Sequence, residues 1–567
     1  MNYSKYQVAV FDWIQTGRGS TVVEAVAGSG KTTTIVHAAN LIPSNFRCLF
    51  LAFNKNIAEE LKTRLPAHIE ARTMNSLGTG MVFKYRGKVP LTTDKLDRIV
   101  KESVTKHVGE EGLPLFKFPI KLIVRRMKNL GIRPDELKGE TWLNIKEEVI
   151  AESEDLDRDF LADWSYEGKS FFEVCSEIVG TAIQKTVDAP DIDFDDQIYL
   201  PIYHGWKLRP FDFIFVDECQ DLSPSNRKLL KLVSNRNTRF CFVGDSRQAI
   251  YSFRGADSKS ISMIKEEFGC DSLPLSICYR CPKDVVLVAK QIAPEIQHHE
   301  GQTDGKVSVN IGQFNPATFA KNDLIVCRLN APLVRAAISL AKNGKRCVIL
   351  GRDFGKALSN LVKSFKCQKV ELIPAAAQKW MEKKIATFVS MGKDPDSAAC
   401  KEVCDKFEAL MFFYEELKPS SVDDFCNLIE SRFSDKEDGD SIVLATVHKA
   451  KGKEYDRVFI LDPGKIGAFA GRGGNQEDNI LYVAVTRAKK ELAFVDITPK
   501  ITPSELLTRT LSGYADAKAA PAEGVDLNAH AERVAALDEL DEAAQTIEDE
   551  AHERDYFEDN GQCEEDA

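Results

Sequence analysis

The stretch Thr21-Val22-Val23-Glu24-Ala25-Val26-Ala27-Gly28-Ser29-Gly30-Lys31-Thr32-Thr33 decides the fold. A short β-branched run is followed by a glycine turn and then by a helical pattern, so a strand delivers the turn to a helix N-terminus. Backbone N–H groups at such a place cradle phosphate oxygens. Residues Ala27, Gly28, Ser29, Gly30, Lys31, Thr32 and Thr33 form the candidate loop. In it Lys31 would reach the outer phosphates and the Thr32 hydroxyl would hold Mg²⁺. Ala25 stands at the first glycine position of the strict pattern, which makes the loop alone a moderate signal.

A second stretch completes it. Phe211-Asp-Phe-Ile-Phe-Val-Asp217-Glu218-Cys-Gln220-Asp221 is an apolar strand ending in adjacent carboxylates. One carboxylate at a strand end suits the metal and its neighbour suits an attacking water. Asp217 is therefore the metal-side candidate with Thr32, and Glu218 the general base.

Similar apolar runs at 21–25, 48–53, 213–216, 240–243, 273–277, 324–327, 347–350, 442–447, 458–461 and 492–495 fall into two sets. They read as buried parallel strands of an α/β protein. The expected organisation is a first lobe at 1–80 and 196–272 interrupted by a helical insertion at 81–195. A second lobe at 273–360 and 440–510 is interrupted by a smaller insertion at 361–439. An acidic tail occupies 511–567.

The net charge of −11 is unevenly placed. Residues 521–567 hold 17 acidic and two basic side chains, leaving +4 on the preceding 520 residues. A mildly basic body is compatible with a phosphate-tracking groove, and the tail reads as a solvated segment or a hook for a protein partner. The fourteen cysteines lack the density of a disulfide framework, and the pairs Cys278/Cys281 and Cys400/Cys404 read as packing rather than a metal site. No apolar run is long enough for a membrane span, and the start lacks the order of a secretory signal. The expected compartment is the cytoplasm, or the nucleus of a eukaryote.

Four further segments match in order. They are Val243-Gly244-Asp245-Ser246-Arg247-Gln248-Ala249-Ile250-Tyr251-Ser252-Phe253-Arg254-Gly255, Leu275-Ser-Ile-Cys-Tyr279-Arg280-Cys-Pro282, Ala445-Thr446-Val447-His448-Lys449-Ala450-Lys451-Gly452-Lys453-Glu454-Tyr455, and Leu481-Tyr482-Val483-Ala484-Val485-Thr486-Arg487-Ala488-Lys489. With the first two stretches they resemble the UvrD/Rep-like branch of superfamily 1 DNA helicases over roughly residues 7 to 495. Glu477, Asn479 and the run Asp193-Phe194-Asp195-Asp196 are most similar in spelling to F-box DNA helicases, although no F-box is evident.

The resemblance implies two RecA-like P-loop lobes, ATP and Mg²⁺ as cofactors, and 3′→5′ movement on single-stranded DNA and strand junctions by a monomeric motor. Gln7 would read the adenine edge, Tyr279 would stack on the base, and Gln248 would sense the γ-phosphate. Arg280 and Arg487 would approach that phosphate from the second lobe, with Glu454 near the ribose or γ-phosphate. The implied strand contacts are Phe53, Asn54, Lys55, Thr73, Asn75, Tyr251, Phe253, Arg254, Thr446 and His448. Relatives usually carry His at the Asn75 position and often Trp at the Phe253 position. Replication, recombination and repair are the implied settings. A translocase that strips proteins from DNA with little unwinding and an ATP-gated recombination mediator remain open alternatives.

Overall fold

The computed structural model describes residues 3–152, 161, 164–250, 260–308, 313–390, 395, 397–434, 439–467 and 475–497. Tyr251, Phe253, Arg254 and the acidic tail lie outside the described residues. The chain divides into two compact units, with the boundary between Tyr279 and Arg280 and with Glu295–Gln297 returning to the first unit. The fold is α/β, with two parallel sheets flanked by helices as in two RecA-like lobes.

The first sheet contains β1 (Ser20–Ala25), β2 (Cys48–Ala52), β3 (Ile69–Thr73), β4 (Phe213–Val216), β5 (Arg239–Gly244) and β6 (Cys270–Leu275), in the order β3-β2-β4-β5-β1-β6. Every pairing is parallel. Such a sheet needs cover on both faces, and its residues alternate accordingly. Cys48 and Phe50 enter the core under helices Lys5–Thr16, Lys31–Asn40 and Lys55–Arg64. Leu49 and Leu51 enter the opposite core with helices Met74–Arg86, Phe194–His204, Pro224–Leu232 and Ser260–Phe268. A Cβ on Gly78 would stand 2.1 Å from the Gln197 carbonyl oxygen, so this glycine is what lets helices Met74–Arg86 and Phe194–His204 approach so closely.

Between those two helices run Lys95–Val108, Leu113–Leu130, Gly139–Glu152 and Phe171–Asp188, with their own core around Phe116, Ile120, Ile178 and Val179. A buried ionic network fastens this helical group to the start of Phe194–His204. Lys95 Nζ donates to Asp196 and to the carbonyls of Thr186 and Asp191, while Lys128 Nζ reaches Asp193 at 2.6 Å and Asp196 at 3.0 Å.

A short pair, β7 (Ile277–Cys278) and β8 (Gln297–His298), follows β6. The second sheet contains β9 (Lys306–Ser308), β10 (Leu324–Cys327), β11 (Cys347–Leu350), β12 (Phe433–Ser434), β13 (Ile442–Thr446), β14 (Tyr455–Leu461) and β15 (Ala488–Val495), in the order β12-β11-β13-β10-β14-β15-β9. Helices Arg352–Ser364, Ile373–Ser390, Ala398–Leu417 and Val422–Glu430 stand between β11 and β12. Asp405 ties this helical group to the sheet: its carboxylate accepts from the Asn330 and Ala331 backbone N–H groups at 2.9 and 2.6 Å.

Among the described residues four strands escape the apolar-run reading: β3, β8, β9 and β12. All are edge strands, and β3 alternates buried with half-buried residues. The run expected at 273–277 is shifted, because β6 begins at Cys270 and the chain breaks at Ser276 before β7. No helix among the described residues is long and apolar enough to cross a membrane.

Candidate nucleotide site and strand contacts

Because all six strands of the first sheet run parallel, their C-terminal ends share one edge. The phosphate-loop sequence leaves β1, the carboxylates leave β4, and Asp245 and Gln248 leave β5, from three adjacent strands. The loop turns through Gly28 and Gly30, at φ of 68° and 76°, a region that an L side chain adopts only under strain. Gly30 then caps helix Lys31–Asn40.

Lys31 Nζ stands 3.2 Å from Glu218 Oε1, and Thr32 Oγ1 donates to Asp217 Oδ2 at 3.1 Å. Burial opposes the Lys31 ammonium, but Glu218, Asp245 and Asp217 outweigh it and hold its pKa above the usual value. Burial, followed by repulsion from Glu218, pushes Asp217 up to about 6. Two carboxylates held this close, beside a hydroxyl at a helix N-terminus, suit a divalent cation shared with phosphate oxygens. The buried Ser29 hydroxyl makes no hydrogen bond among the described residues, so the loop holds a donor without a protein acceptor.

Glu218 adopts a left-handed conformation, φ 50° and ψ 41°. That strain, on a residue with a side chain, is held by its surroundings. Its backbone N–H donates to Asp217 Oδ1 at 2.9 Å, and Gln220 Nε2 donates to its carboxylate. Gln220 carries no signal in the sequence beyond its place two residues after Glu218. It is 1% exposed, and its Oε1 accepts from the Asp245 backbone N–H at 3.0 Å, bridging the ends of β4 and β5. Asp245 in turn accepts from Gln248 Nε2 at 2.7 Å.

Gln7 reaches the loop from the first helix. Its Nε2 donates to Thr34 Oγ1 at 3.1 Å, and its Oε1 accepts from the Ser4 backbone N–H in a capping box. Each end of the amide keeps one further hydrogen-bonding position by valence. The Tyr279 backbone N–H donates to the Gly28 carbonyl at 2.8 Å, which fixes this half-buried ring's backbone against the loop. Thr33 is exposed on the first helical turn.

The same edge carries the expected strand contacts at its other end. Phe53, Asn54 and Lys55 follow β2, while Thr73 closes β3 and Asn75 follows it. Asn54 and Thr73 cap their helices through bonds from the Ile57 and Ser76 N–H groups, while Asn75 Nδ2 donates to the Phe194 carbonyl at 3.3 Å.

In the second unit, Arg280, Glu454 and Arg487 come together. Arg487 is 1% exposed, and it donates to the carbonyls of Val483 and Lys453 and to Thr486 Oγ1. Burial, then the positive charge of Arg280, pulls its pKa down to about 10. Arg280 forms an ion pair with Glu454 and donates to the Thr486 carbonyl, while its buried Nε makes no hydrogen bond among the described residues. Glu454 and Arg487 stand where β14 and β15 begin; Thr446 closes β13 at the opposite edge of this parallel sheet, with His448 two residues on. The Thr446 hydroxyl caps its helix by accepting from the Lys449 N–H at 3.4 Å.

A model of the UvrD/REP helicase N-terminal domain matches residues 9–269, and one of the UvrD-like helicase C-terminal domain matches residues 351–498. The chain belongs to the UvrD/Rep helicase family. F-box DNA helicase protein 1 of Schizosaccharomyces pombe is 25% identical over 532 residues, covering 84% of this chain and 56% of that protein. The probable DNA helicase II homolog of Mycoplasma genitalium is 24% identical over 618 residues, covering 88% and 86%. ATP-dependent DNA helicase PcrA of Staphylococcus epidermidis is 26% identical over 325 residues, covering 53% and 41%. The chain spans about half the length of the F-box DNA helicases that it matches. As a UvrD-like helicase it belongs to a family of ATP-dependent, DNA-binding enzymes.

Proposed function

We propose that this chain is an ATP-driven motor that moves 3′→5′ along single-stranded DNA and unwinds strand junctions during replication, recombination or repair. The observation that carries the reading is the joining of Lys31 to Glu218 and Thr32 to Asp217 on the edge that also presents residues 53–55 and 73–75.

In this reading Lys31 binds the outer phosphates of ATP, Gln7 and Tyr279 hold the adenine, and Glu218 takes the proton of the attacking water on its carboxylate. Thr32 and Asp217 would hold Mg²⁺, whose charge offsets that of the phosphate oxygens when bound. Gln220 keeps Glu218 aimed and, through Asp245, ties it to Gln248. Arg280 and Arg487 supply guanidinium groups for charge developing on the γ-phosphate, with Glu454 positioning Arg280. Aromatic and small polar groups at Phe53, Asn54, Lys55, Thr73, Asn75, Thr446 and His448 suit sequence-tolerant strand contacts.

Glu218→Gln is expected to lower DNA-stimulated ATP turnover by about 10²- to 10⁴-fold while leaving ATP binding largely intact. Unwinding of duplexes with 3′ or 5′ tails, beside displacement of a protein from single strands, reads direction and separates a helicase from a stripping translocase. Unchanged turnover in the variant would remove Glu218 from the base role.

A further inference from the structure

Helices Met74–Arg86 and Phe194–His204 lie side by side and parallel, since Asn75 bonds Phe194 at one end and Tyr85 bonds Lys207 at the other. The expected strand contacts Thr73 and Asn75 stand at their shared start. The far end, about 15 Å away along a helix, gathers a different set of residues. Two segments remote in sequence meet there, 83–88 (FKYRGK) and 203–209 (YHGWKLR). Together they carry five lysines and arginines and no carboxylate.

Their rings form one stack. Tyr85 lies on Trp206 with centroids 5.1 Å apart and planes 2° apart, and His204 also stacks on Trp206, at 4.7 Å and 13°. Tyr85 is held rigid although it is 45% exposed. Its hydroxyl donates to the Lys207 carbonyl at 2.7 Å and accepts from the Lys207 N–H at 3.2 Å. The Arg86 guanidinium lies 5.6 Å from the Trp206 ring centroid and contacts His204, Lys84 Nζ lies 5.3 Å from the Tyr85 ring centroid, and Lys88 and Lys207 are exposed on the same two segments. The carboxylate felt by His204 is Asp188, which is itself engaged by Gln184.

A rigid ring stack with an exposed tyrosine, set beside exposed lysines, matches what an unpaired base and its phosphates require. Ordering costs little because the rings are already fixed, and the cations favour a polyanion. An apolar partner would not call for the lysines, and a simple polyanion would leave the ring face unused. We propose that this patch is a second binding surface for single-stranded nucleic acid, separate from the contacts at 53–55 and 73–75. It goes beyond the motor reading and requires neither ATP hydrolysis nor a direction of travel.

The test uses the full chain with Lys84, Lys88 and Lys207 all changed to Glu, and separately Tyr85→Leu. All four side chains are exposed. Anisotropy with dye-labelled oligothymidylates of roughly 10 and roughly 30 nucleotides, without nucleotide, brackets the lengths that one and two surfaces occupy. For the longer strand the triple variant is expected to lose at least tenfold in affinity. Its salt slope between about 50 and about 200 mM should fall by about 2, the amount for three phosphate contacts. Tyr85→Leu is expected to lose roughly fivefold or more through the missing stack. ATP turnover stimulated by the shorter strand, which reports the first surface, should stay within about twofold of the parent. Unchanged affinity and slope for the longer strand would overturn the proposal. So would a gain in affinity on charge reversal, which would assign the patch to an acidic polypeptide such as residues 521–567.

Discussion

The two charged sites differ in how they are balanced and in where they sit on their sheets. In the first unit Lys31 lies among Glu218, Asp217 and Asp245, so the site is rich in carboxylate. In the second, Arg280 pairs with Glu454, and Arg487 is held mainly by backbone carbonyls and feels that carboxylate only at a distance. The first sheet gathers its nucleotide candidates and strand candidates on one edge, at the ends of β4, β5, β1 and β6 and of β3 and β2. The second sheet separates them: Arg487 and Glu454 precede strands, whereas Thr446 closes one. Residues 447–454 therefore connect the two edges in a single short passage. A metal-bearing anion fits the first arrangement, and an excess of unshared negative charge fits the second.

Arg487→Lys separates charge from shape at the second site. The substitution keeps a positive charge but cannot bond Val483, Lys453 and Thr486 at once from a planar fork. If the geometry of the guanidinium matters rather than its charge, DNA-stimulated turnover should fall by about 10³-fold or more. Thermal unfolding measured alongside should show a folded protein. Near-parental turnover would show that charge alone suffices there.

The helical groups carried by the two units differ as well, and Lys128→Met probes the first. Lys128 is buried against Asp193 and Asp196, and those carboxylates raise its pKa despite the burial. Removing one partner of a buried pair leaves charge without compensation, so a loss of about 3–5 kcal/mol is expected in denaturant unfolding. The loss should appear first among helices Leu113–Leu130 and Phe194–His204, read by hydrogen exchange. A loss below about 1 kcal/mol would mean that Lys95 alone carries the network.

Much of this was legible in advance, for identifiable reasons. Strands buried on both faces are written as apolar runs, so 213–216 and 324–327 coincide with β4 and β10. Edge strands have one side unpaired and tolerate polar residues, which is why Ile69-Glu70-Ala71-Arg72-Thr73 did not read as β3. The phosphate loop and the two carboxylates are contiguous in sequence and could be read directly. Gln220 could not, because its role depends on β4 and β5 being neighbours and on Asp245 ending the second of them. The Tyr85 and Trp206 stack was hidden for the same reason, since more than a hundred residues separate rings that Gly78 brings together.

The smallest effect concerns Asp405, the anchor of the second helical group. Where the first unit uses a network of two lysines and two aspartates, here one carboxylate caps the start of helix Asn330–Lys342. Asp405→Ala leaves the Asn330 and Ala331 N–H groups without this acceptor and is expected to lower stability by about 1–3 kcal/mol. Burial pushes the Asp405 carboxyl up to about 6, above the value of 3.8 that it has when exposed. Between those values the folded protein keeps a proton that the unfolded chain releases. Stability contributed by this group therefore falls as pH rises from about 4 to about 6 and then levels off. Asp405→Asn removes the titration, so the difference in stability between parent and variant should change across that window and be constant above it. A difference that stays flat from about pH 4 to 7 would mean that the backbone N–H bonds, rather than burial, govern this carboxyl, and that the second anchor is as well compensated as the first.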